Sequence, residues 1–121
     1  MKNQKFRKLE VWKKTIFFVK DVYKFTEEFP KEEMYGLTSQ LKRATTSIAL
    51  NIAEGAGADS DIEFRRFLSI ALRSAYEVMC AVEIAHELEF CNEQSKEGIL
   101  QKCDEICAML TGLKKRLKAD S

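Results

Sequence analysis

Residues 47–57 read SIALNIAEGAG, and the way this stretch folds decides how the remaining sequence is divided. Ile48 and Ile52 are four residues apart, so a helix places them on one apolar face. Asn51 lies on that same face, and Glu54 stands immediately before Gly55. A carboxylate is electrostatically unfavourable at the C-terminal end of a helix. The two polar residues therefore need a structural or a chemical reason.

The helix that contains this stretch begins well upstream, because the apolar face continues back through Leu37 and Leu41. Gly55 and Gly57 are predicted to end it, with one of them in the left-handed conformation. Pro30 is expected to open it, since proline suits the first turn of a helix and disfavours helix in the residue before it. An earlier helix precedes Pro30, and its apolar residues alternate in spacings of three and four: Leu9, Trp12, Ile16, Val19 and Tyr23.

Two further helices follow the glycines. SDIE, residues 60–63, has the pattern of a capping box and predicts the start of the third helix. Asn92 is expected to cap the fourth. The apolar residues of the fourth helix keep heptad spacing: Ile99, Cys103, Ile106, Leu110, Leu113 and Leu117. Short connections between four long amphipathic helices predict an all-α fold, an antiparallel up-down four-helix bundle.

The composition is that of a soluble globular protein, with 45% hydrophobic and 32% charged residues. We expect a single domain over residues 1–121. No apolar run approaches the roughly 20 residues that span a bilayer, and the N-terminus lacks the pattern of a signal peptide. The expected location is therefore the cytoplasm, with the four cysteines reduced and no membrane association.

The third helix has more apolar surface than one bundle needs, because apolar residues lie on both sides of its core stripe. Leu72, Tyr76 and Met79 lie on one flank. They are candidates for an interface between copies of the chain, since an apolar patch on a soluble protein usually has a partner. The alternative is a wide core stripe with a few exposed apolar residues.

The charges separate along the bundle. The up-down topology places residues 1–14, 42–73 and 110–118 in one half, which carries fifteen basic and five acidic residues. Such a half suits phosphates and predicts salt-dependent, sequence-independent nucleic-acid binding. The alternative is a set of solvated lysines that favour a helix C-terminus. The candidate contacts are Lys5, Arg7, Lys8, Lys13, Lys14, Lys114, Lys115, Arg116 and Lys118.

The sequence contains few residues that could support an enzymatic reaction. Glu54 and Glu77 are the obvious pair of carboxylates, but the antiparallel register separates them by about 20 Å, too far for one substrate bond. His86 is the single histidine of the chain, whereas a metal site in a bundle needs several Glu and His ligands. We expect no catalytic residues, no metal and no cofactor.

The polar residues then have a structural interpretation. We expect Asn51, Glu54 and Gly55 to form a hydrogen-bonded lock at the end of the bundle, with Glu54 buried near Trp12. Arg43, Ser74 and Glu77 are assigned to the same lock, because the antiparallel register places Glu77 opposite residues 40–43. A buried carboxylate has to be paired or protonated, and polar residues on an apolar stripe fix helix register.

FPKEEMYGLTSQLKRATTSIALNIAEGAG, residues 29–57, followed by EFRRFLSIALRSAYE, residues 63–77, resembles a known family. It is the family of four-helix-bundle proteins encoded in intervening sequences of 23S rRNA genes, the so-called S23 ribosomal proteins. That family is similar in turn to the accessory variability protein of diversity-generating retroelements, a homopentameric, basic bundle that binds a reverse transcriptase and nucleic acid. The motif positions are Pro30, Gly36, Leu37, Gln40, Arg43, Ser47, Asn51, Glu54, Gly55, Ser74 and Glu77.

The resemblance implies a homo-oligomer, a pentamer, and names no catalytic residue. The chain departs from the family where relatives carry basic residues after the EG turn, because Ala58, Asp59 and Asp61 stand there. Relatives also tend to have glycine where this chain has Arg73 before the motif serine. Our leading hypothesis is a non-enzymatic, homo-oligomeric scaffold or accessory factor that binds RNA or DNA. The rival is a protein-protein interaction module with no nucleic-acid binding.

Overall fold

The structure, a computed structural model, describes residues 5–118. Lys2, which contributes to the basic half in the sequence, lies outside these residues. A 3₁₀ turn at Lys5–Lys8 precedes helix α1, Glu10–Thr26, and a second 3₁₀ turn at Lys31–Glu33 precedes α2, Leu37–Ala56. Helices α3, Asp61–Glu87, and α4, Glu93–Arg116, complete the described chain. Each helix packs against the next and α1 packs against α4, which confirms the predicted all-α four-helix bundle.

The core is one cluster of aliphatic and aromatic side chains drawn from all four helices. Phe18, Ile48, Leu68 and Ile106 are among its largest fully buried members, one from each helix. Burying a side chain of this size stabilises the fold by about 1.5–3 kcal/mol. The periodic apolar stripes of the sequence therefore supply the core.

The helix starts at Ser60 and Asn92 are confirmed. The Ser60 hydroxyl accepts a hydrogen bond from the Glu63 backbone N–H at 3.2 Å, and Asn92 Oδ1 accepts one from Ser95 at 2.8 Å. The predicted start at Pro30 is wrong, because Pro30 opens only a 3₁₀ turn and α2 begins at Leu37.

The ends of α2 and α3 also differ from expectation. Neither Gly55 nor Gly57 takes the left-handed conformation, since Gly55 is inside α2 and Gly57 has φ −88°. The left-handed residue lies at the end of α3, where Glu89 has φ 65°. The Phe90 backbone N–H then donates to the Ala85 carbonyl at 2.8 Å, as in a Schellman motif.

Gly55 is required for close packing instead. It is buried, and a Cβ atom added there would stand 2.8 Å from both Phe64 Cδ1 and Phe67 Cβ. The absence of a side chain at residue 55 lets the start of α3 approach the end of α2.

Four contacts fix the relative heights of the helices. Lys42 on α2 lies over the Tyr23 ring of α1, 4.6 Å from its centroid. Ser47 on α2 contacts Ser74 on α3. Two ion pairs of 2.9 Å join α1 to α4, Lys14 with Glu105 and Asp21 with Lys102.

Candidate nucleic-acid interface

The N-terminal part of the candidate interface is the 3₁₀ turn at Lys5–Lys8. Lys5, Arg7 and Lys8 are exposed on it. The turn is held on the bundle by Phe6, whose ring packs edge-on against Trp12 with the centroids 4.9 Å apart. The Leu9 backbone N–H also donates to the Phe6 carbonyl at 3.1 Å. These contacts fix the position of the backbone that carries the three basic side chains.

The C-terminal part is the last turn of α4, which carries Lys114, Lys115 and Arg116. The Arg65 guanidinium of α3 donates to the carbonyl of Lys114 and, at 3.5 Å, to that of Leu117. A cation at the C-terminal end of a helix satisfies orphan carbonyls and favours the helix dipole.

A second contact holds the same end of α4. Asp61 Oδ2, in the first turn of α3, accepts a hydrogen bond from the Lys118 backbone N–H at 3.0 Å. The sequence contains the signal for these caps, because Asp61 and Arg65 lie in the first turns of α3, which the topology places beside the end of α4.

The two basic segments meet at a surface groove between the start of α1 and the end of α4. The groove has a volume of about 380 Å³, with Lys8 and Arg116 among its lining residues. Leu9 and Gly112 also line it, as does the carboxylate-bearing Glu10. The structure therefore brings Lys8 and Arg116 together, although more than a hundred residues separate them in the chain.

Lys13 and Lys14 each have a carboxylate partner. Lys13 Nζ lies 3.5 Å from Glu10 Oε1 one turn before it, and both side chains are largely exposed. Lys14 Nζ lies 2.9 Å from Glu105 Oε1 on α4. Since successive helical residues point about 100° apart, Lys14 belongs to the face between α1 and α4. The structure separates Lys14 from the basic end.

A hydrogen-bonded polar cluster joins α2 to α3. The Ser47 and Ser74 hydroxyl oxygens are 2.9 Å apart, and Ser74 is buried. Asn51 Nδ2 donates to the Ser47 carbonyl at 2.8 Å and to the Ser47 hydroxyl at 3.1 Å. Ser47 is the residue that the sequence-based lock omitted, although its position four residues before Asn51 places both on one helix face.

The expected burial of Glu54 beside Trp12 is wrong. Glu54 is exposed, as are Arg43 and Glu77. Residue 54 is three positions beyond Asn51, so it lies about 60° further round the helix, towards solvent. Within residues 5–118 no ion pair or hydrogen bond joins these three side chains to one another.

The candidate interface residues of α3 lie on its α4 side. Leu72 and Met79 are partly buried against the bundle's own core. Tyr76 is 57% exposed. Most of the flank that the sequence predicted for self-association therefore packs against the chain's own core. Tyr76 is the residue of this flank that is exposed to solvent.

A network of charges lies at the opposite end of the bundle from the basic segments. Lys96 Nζ on α4 lies 3.3 Å from Glu93 Oε2 and 3.6 Å from both Glu83 Oε1 and Glu97 Oε1. His86 Nε2 is 3.2 Å from Glu93 Oε1. The hydrogen bond from Lys96 lowers the pKa of Glu93 below its usual value. This network joins the end of α3 to the start of α4.

Cys103 belongs to the core, where its thiol lies 3.5 Å from the Ala75 carbonyl oxygen. The hydrogen bond with Cys107 and then burial raise the pKa of the Cys103 thiol, which keeps it protonated. Among residues 5–118, no three His, Cys, Asp or Glu side chains are grouped as a metal site would require. In the same part of the chain, no helix is long and apolar enough to cross a membrane.

The described chain is an antiparallel four-helix bundle, and basic residues cluster in its first turn and in the last turn of α4. The chain belongs to the 23S rRNA-intervening sequence protein family, whose model matches residues 7–112. A solved structure from Bacteroides thetaiotaomicron VPI-5482, described as a protein with unknown function from the S23 ribosomal protein family, superposes with a TM-score of 0.78. That protein is 29% identical, and the match covers 87% of this chain and 98% of that one. No curated protein sequence matches the chain significantly. The likeness to retroelement accessory proteins stays a prediction.

Proposed function

We propose that the chain is a non-enzymatic accessory or scaffold protein that assembles with copies of itself and binds RNA through its basic end. The observation that carries the proposal is the groove at which the basic turn Lys5–Lys8 and the last turn of α4 come together. Lys8 and Arg116 line that groove, and Lys5, Arg7 and Lys115 extend the charge around it.

The arrangement suits the phosphate backbone rather than base edges. The side chains are exposed and long, and within residues 5–118 no ion pair engages Lys5, Arg7, Lys8, Lys115 or Arg116. The exposed aromatic residues lie elsewhere, at Phe17, Tyr23, Tyr35 and Tyr76. Binding that uses phosphate contacts without stacking is expected to be sequence-independent and to weaken steeply with salt, by a log–log slope of about −0.7 per contact on single strands.

The test is a charge reversal at the end of α4. The triple variant Lys114→Glu, Lys115→Glu, Arg116→Glu is expected to abolish salt-sensitive binding to a short structured RNA, measured by fluorescence anisotropy. The matched control reverses three lysines of the acidic half, Lys20, Lys24 and Lys31, which changes net charge equally. RNA binding that survives the first variant removes the assignment of this end. Equal losses in both variants show that only overall charge matters.

A second candidate function is a protein-protein interaction module that binds no nucleic acid. The observation that favours it is the paired charge of several basic residues at this end, Lys13 with Glu10 and Arg66 with Glu63, together with the nearby Asp59. This alternative predicts no RNA retention at physiological salt. RNA retained by the wild type at physiological salt contradicts it.

A further inference from the structure

Asp61 is a carboxylate at the basic end of the bundle. It lies in the first turn of α3, beside the last turn of α4 with its three basic residues. A negative charge at this place opposes the binding of phosphates by the neighbouring cations. The carboxylate is directed at the backbone that follows α4, since Asp61 Oδ2 accepts the Lys118 N–H at 3.0 Å.

Arg65, one turn further along α3, contacts the same segment. Its guanidinium donates to the carbonyl oxygens of Lys114 and Leu117. The last carbonyls of a helix have no partner within the helix, so Arg65 satisfies acceptors while Asp61 satisfies a donor. We call these two residues the α3 clamp, because together they bind both kinds of backbone group at the end of α4.

Leu117 adds an apolar contact to the clamp. The backbone leaves the helix there in an extended conformation, with φ −90° and ψ 147°. The Leu117 side chain packs, partly buried, against the core of the bundle. The direction of the chain at the end of α4 is therefore fixed by its contacts with the bundle.

The clamp leaves the basic side chains of the last turn available. It binds backbone groups from the α3 side, whereas Arg116 lines the groove on the α1 side together with Lys8. The Arg116 guanidinium lies back along α4, since a Cβ atom added at Gly112 would be 3.9 Å from Arg116 Nη1. Lys115 and Arg116 are both exposed.

We propose that Asp61 and Arg65 are positioning residues for RNA binding, which hold the last turn of α4 beside Lys8 in the free protein. Helix ends open readily where few contacts hold them, and ordering a flexible segment upon binding costs affinity. The clamp removes that cost before RNA arrives. The inference rests on the proposed function and deepens it, because it concerns the same site.

Positioning and simple electrostatics predict opposite results at residue 61. If only charge matters, removal of the carboxylate strengthens the binding of a polyanion. If the hydrogen bond to the Lys118 N–H positions the cations, the same removal weakens binding. Asp61 is therefore the residue at which the two explanations can be separated.

The first experiment compares Asp61→Ala, Asp61→Asn and Asp59→Ala. The alanine variant of residue 61 lacks the charge and the acceptor, whereas asparagine lacks the charge but keeps an oxygen that can accept the Lys118 N–H. Both variants lose the favourable interaction of a carboxylate with the start of α3, so their difference reports on the hydrogen bond. Asp59, exposed two residues earlier, is the control for charge alone.

Fluorescence anisotropy with a short structured RNA, at one salt concentration, measures the dissociation constants. We expect Asp61→Ala to weaken binding by about two- to tenfold, the change that corresponds to one lost hydrogen bond. Asp59→Ala is expected to strengthen binding, and Asp61→Asn to bind at least as tightly as wild type. Binding by Asp61→Ala that equals or exceeds wild type overturns the role of Asp61, as does binding by Asp61→Asn as weak as that of Asp61→Ala.

The second experiment keeps the charge constant. Arg65→Lys retains the cation but lacks the planar fork that reaches two carbonyl oxygens, so we expect weaker RNA binding. The matched control is Arg66→Lys, at the next residue of α3, where the side chain is exposed and paired with Glu63. This control is expected to bind RNA like wild type. Equal binding by Arg65→Lys and wild type overturns the role of Arg65.

Amide hydrogen exchange tests the clamp without RNA. The Lys118 amide should exchange faster in Asp61→Ala than in wild type and should regain protection in Asp61→Asn, with circular dichroism verifying that each variant is folded. Equal exchange in all three proteins overturns the clamp.

The failure of this inference can be told from the failure of the proposed function. A wild-type chain that binds no RNA at any salt concentration overturns both. Wild-type binding that is abolished by the charge reversal of residues 114–116 but is not weakened by Asp61→Ala or Arg65→Lys overturns the positioning role alone.

Discussion

The hydroxyl oxygens of Ser47 and Ser74 are 2.9 Å apart and form the direct polar link between α2 and α3. Asn51 donates to Ser47 from one turn further along α2. We expect Ser74→Ala to reduce the free energy of unfolding by about 0.5–1.5 kcal/mol, the usual contribution of one hydrogen bond. Urea denaturation measures the change. The control is Ser39→Ala, which removes another serine hydroxyl of α2. Equal stability of Ser74→Ala and wild type contradicts a structural role for the link.

Gly55 provides a test of close packing. Gly55→Ala places a methyl group 2.8 Å from Phe64 Cδ1 and from Phe67 Cβ, so the two rings or the helix have to move. We expect a loss of about 1–3 kcal/mol, as for other overpacked sites.

Gly98 is the matched control for Gly55, because it too lies inside a helix but has open space around its Cα atom. Gly98→Ala is expected to stabilise the chain by about 0.5–1 kcal/mol through helix propensity alone. Thermal and urea denaturation of both variants provide the comparison. Stabilisation by Gly55→Ala contradicts the packing account.

Glu54 is expected to matter little for the stability of the single chain, because it is exposed. Glu54→Ala should change the free energy of unfolding by less than about 0.5 kcal/mol at concentrations that keep the chain monomeric. A loss of several kcal/mol in the monomer shows that Glu54 is buried after all.

The charge network around Lys96 predicts how stability depends on pH. The hydrogen bond from Lys96 lowers the pKa of Glu93 from its ordinary value of 4.5. A carboxyl group whose pKa is lower in the folded state contributes stability above the unfolded pKa, and that contribution is lost as pH falls through the folded pKa.

The variant Lys96→Met tests this dependence. Urea midpoints measured from pH 7 down to pH 3 should fall less steeply with acid in Lys96→Met than in wild type, because the folded and unfolded pKa values of Glu93 become more alike. The matched control is Lys102→Met, which removes a pair to Asp21 and leaves Glu93 unchanged. Parallel profiles for wild type and Lys96→Met contradict the assignment.

The helices and the core could be predicted because their signals are local and periodic. The caps at Ser60 and Asn92 depend on side chains within three residues, and the apolar stripes repeat at helical spacing. The start of α2 at Leu37 was mispredicted because Pro30 is equally compatible with a short 3₁₀ turn. The left-handed Glu89 was missed because glycine, not glutamate, is usual at that position.

The candidate site depended on tertiary contacts that the sequence only bounds. The topology placed Lys8 and Arg116 at one end, and the structure adds the groove that joins them. The sequence alone could not reveal that Lys14 is paired with Glu105 on a different face. Glu54 was placed in the core because its neighbours Asn51 and Gly55 are on or near the apolar face, yet a rotation of about 60° was enough to expose it.

The central claim is that copies of this chain assemble and together bind RNA. Light scattering of the purified protein at physiological salt, without and with a short structured RNA, tests it most directly. We predict a mass that is a stable multiple of 13.9 kDa and that gains the mass of the RNA when it is added. A mass of 13.9 kDa that does not change with RNA contradicts the claim.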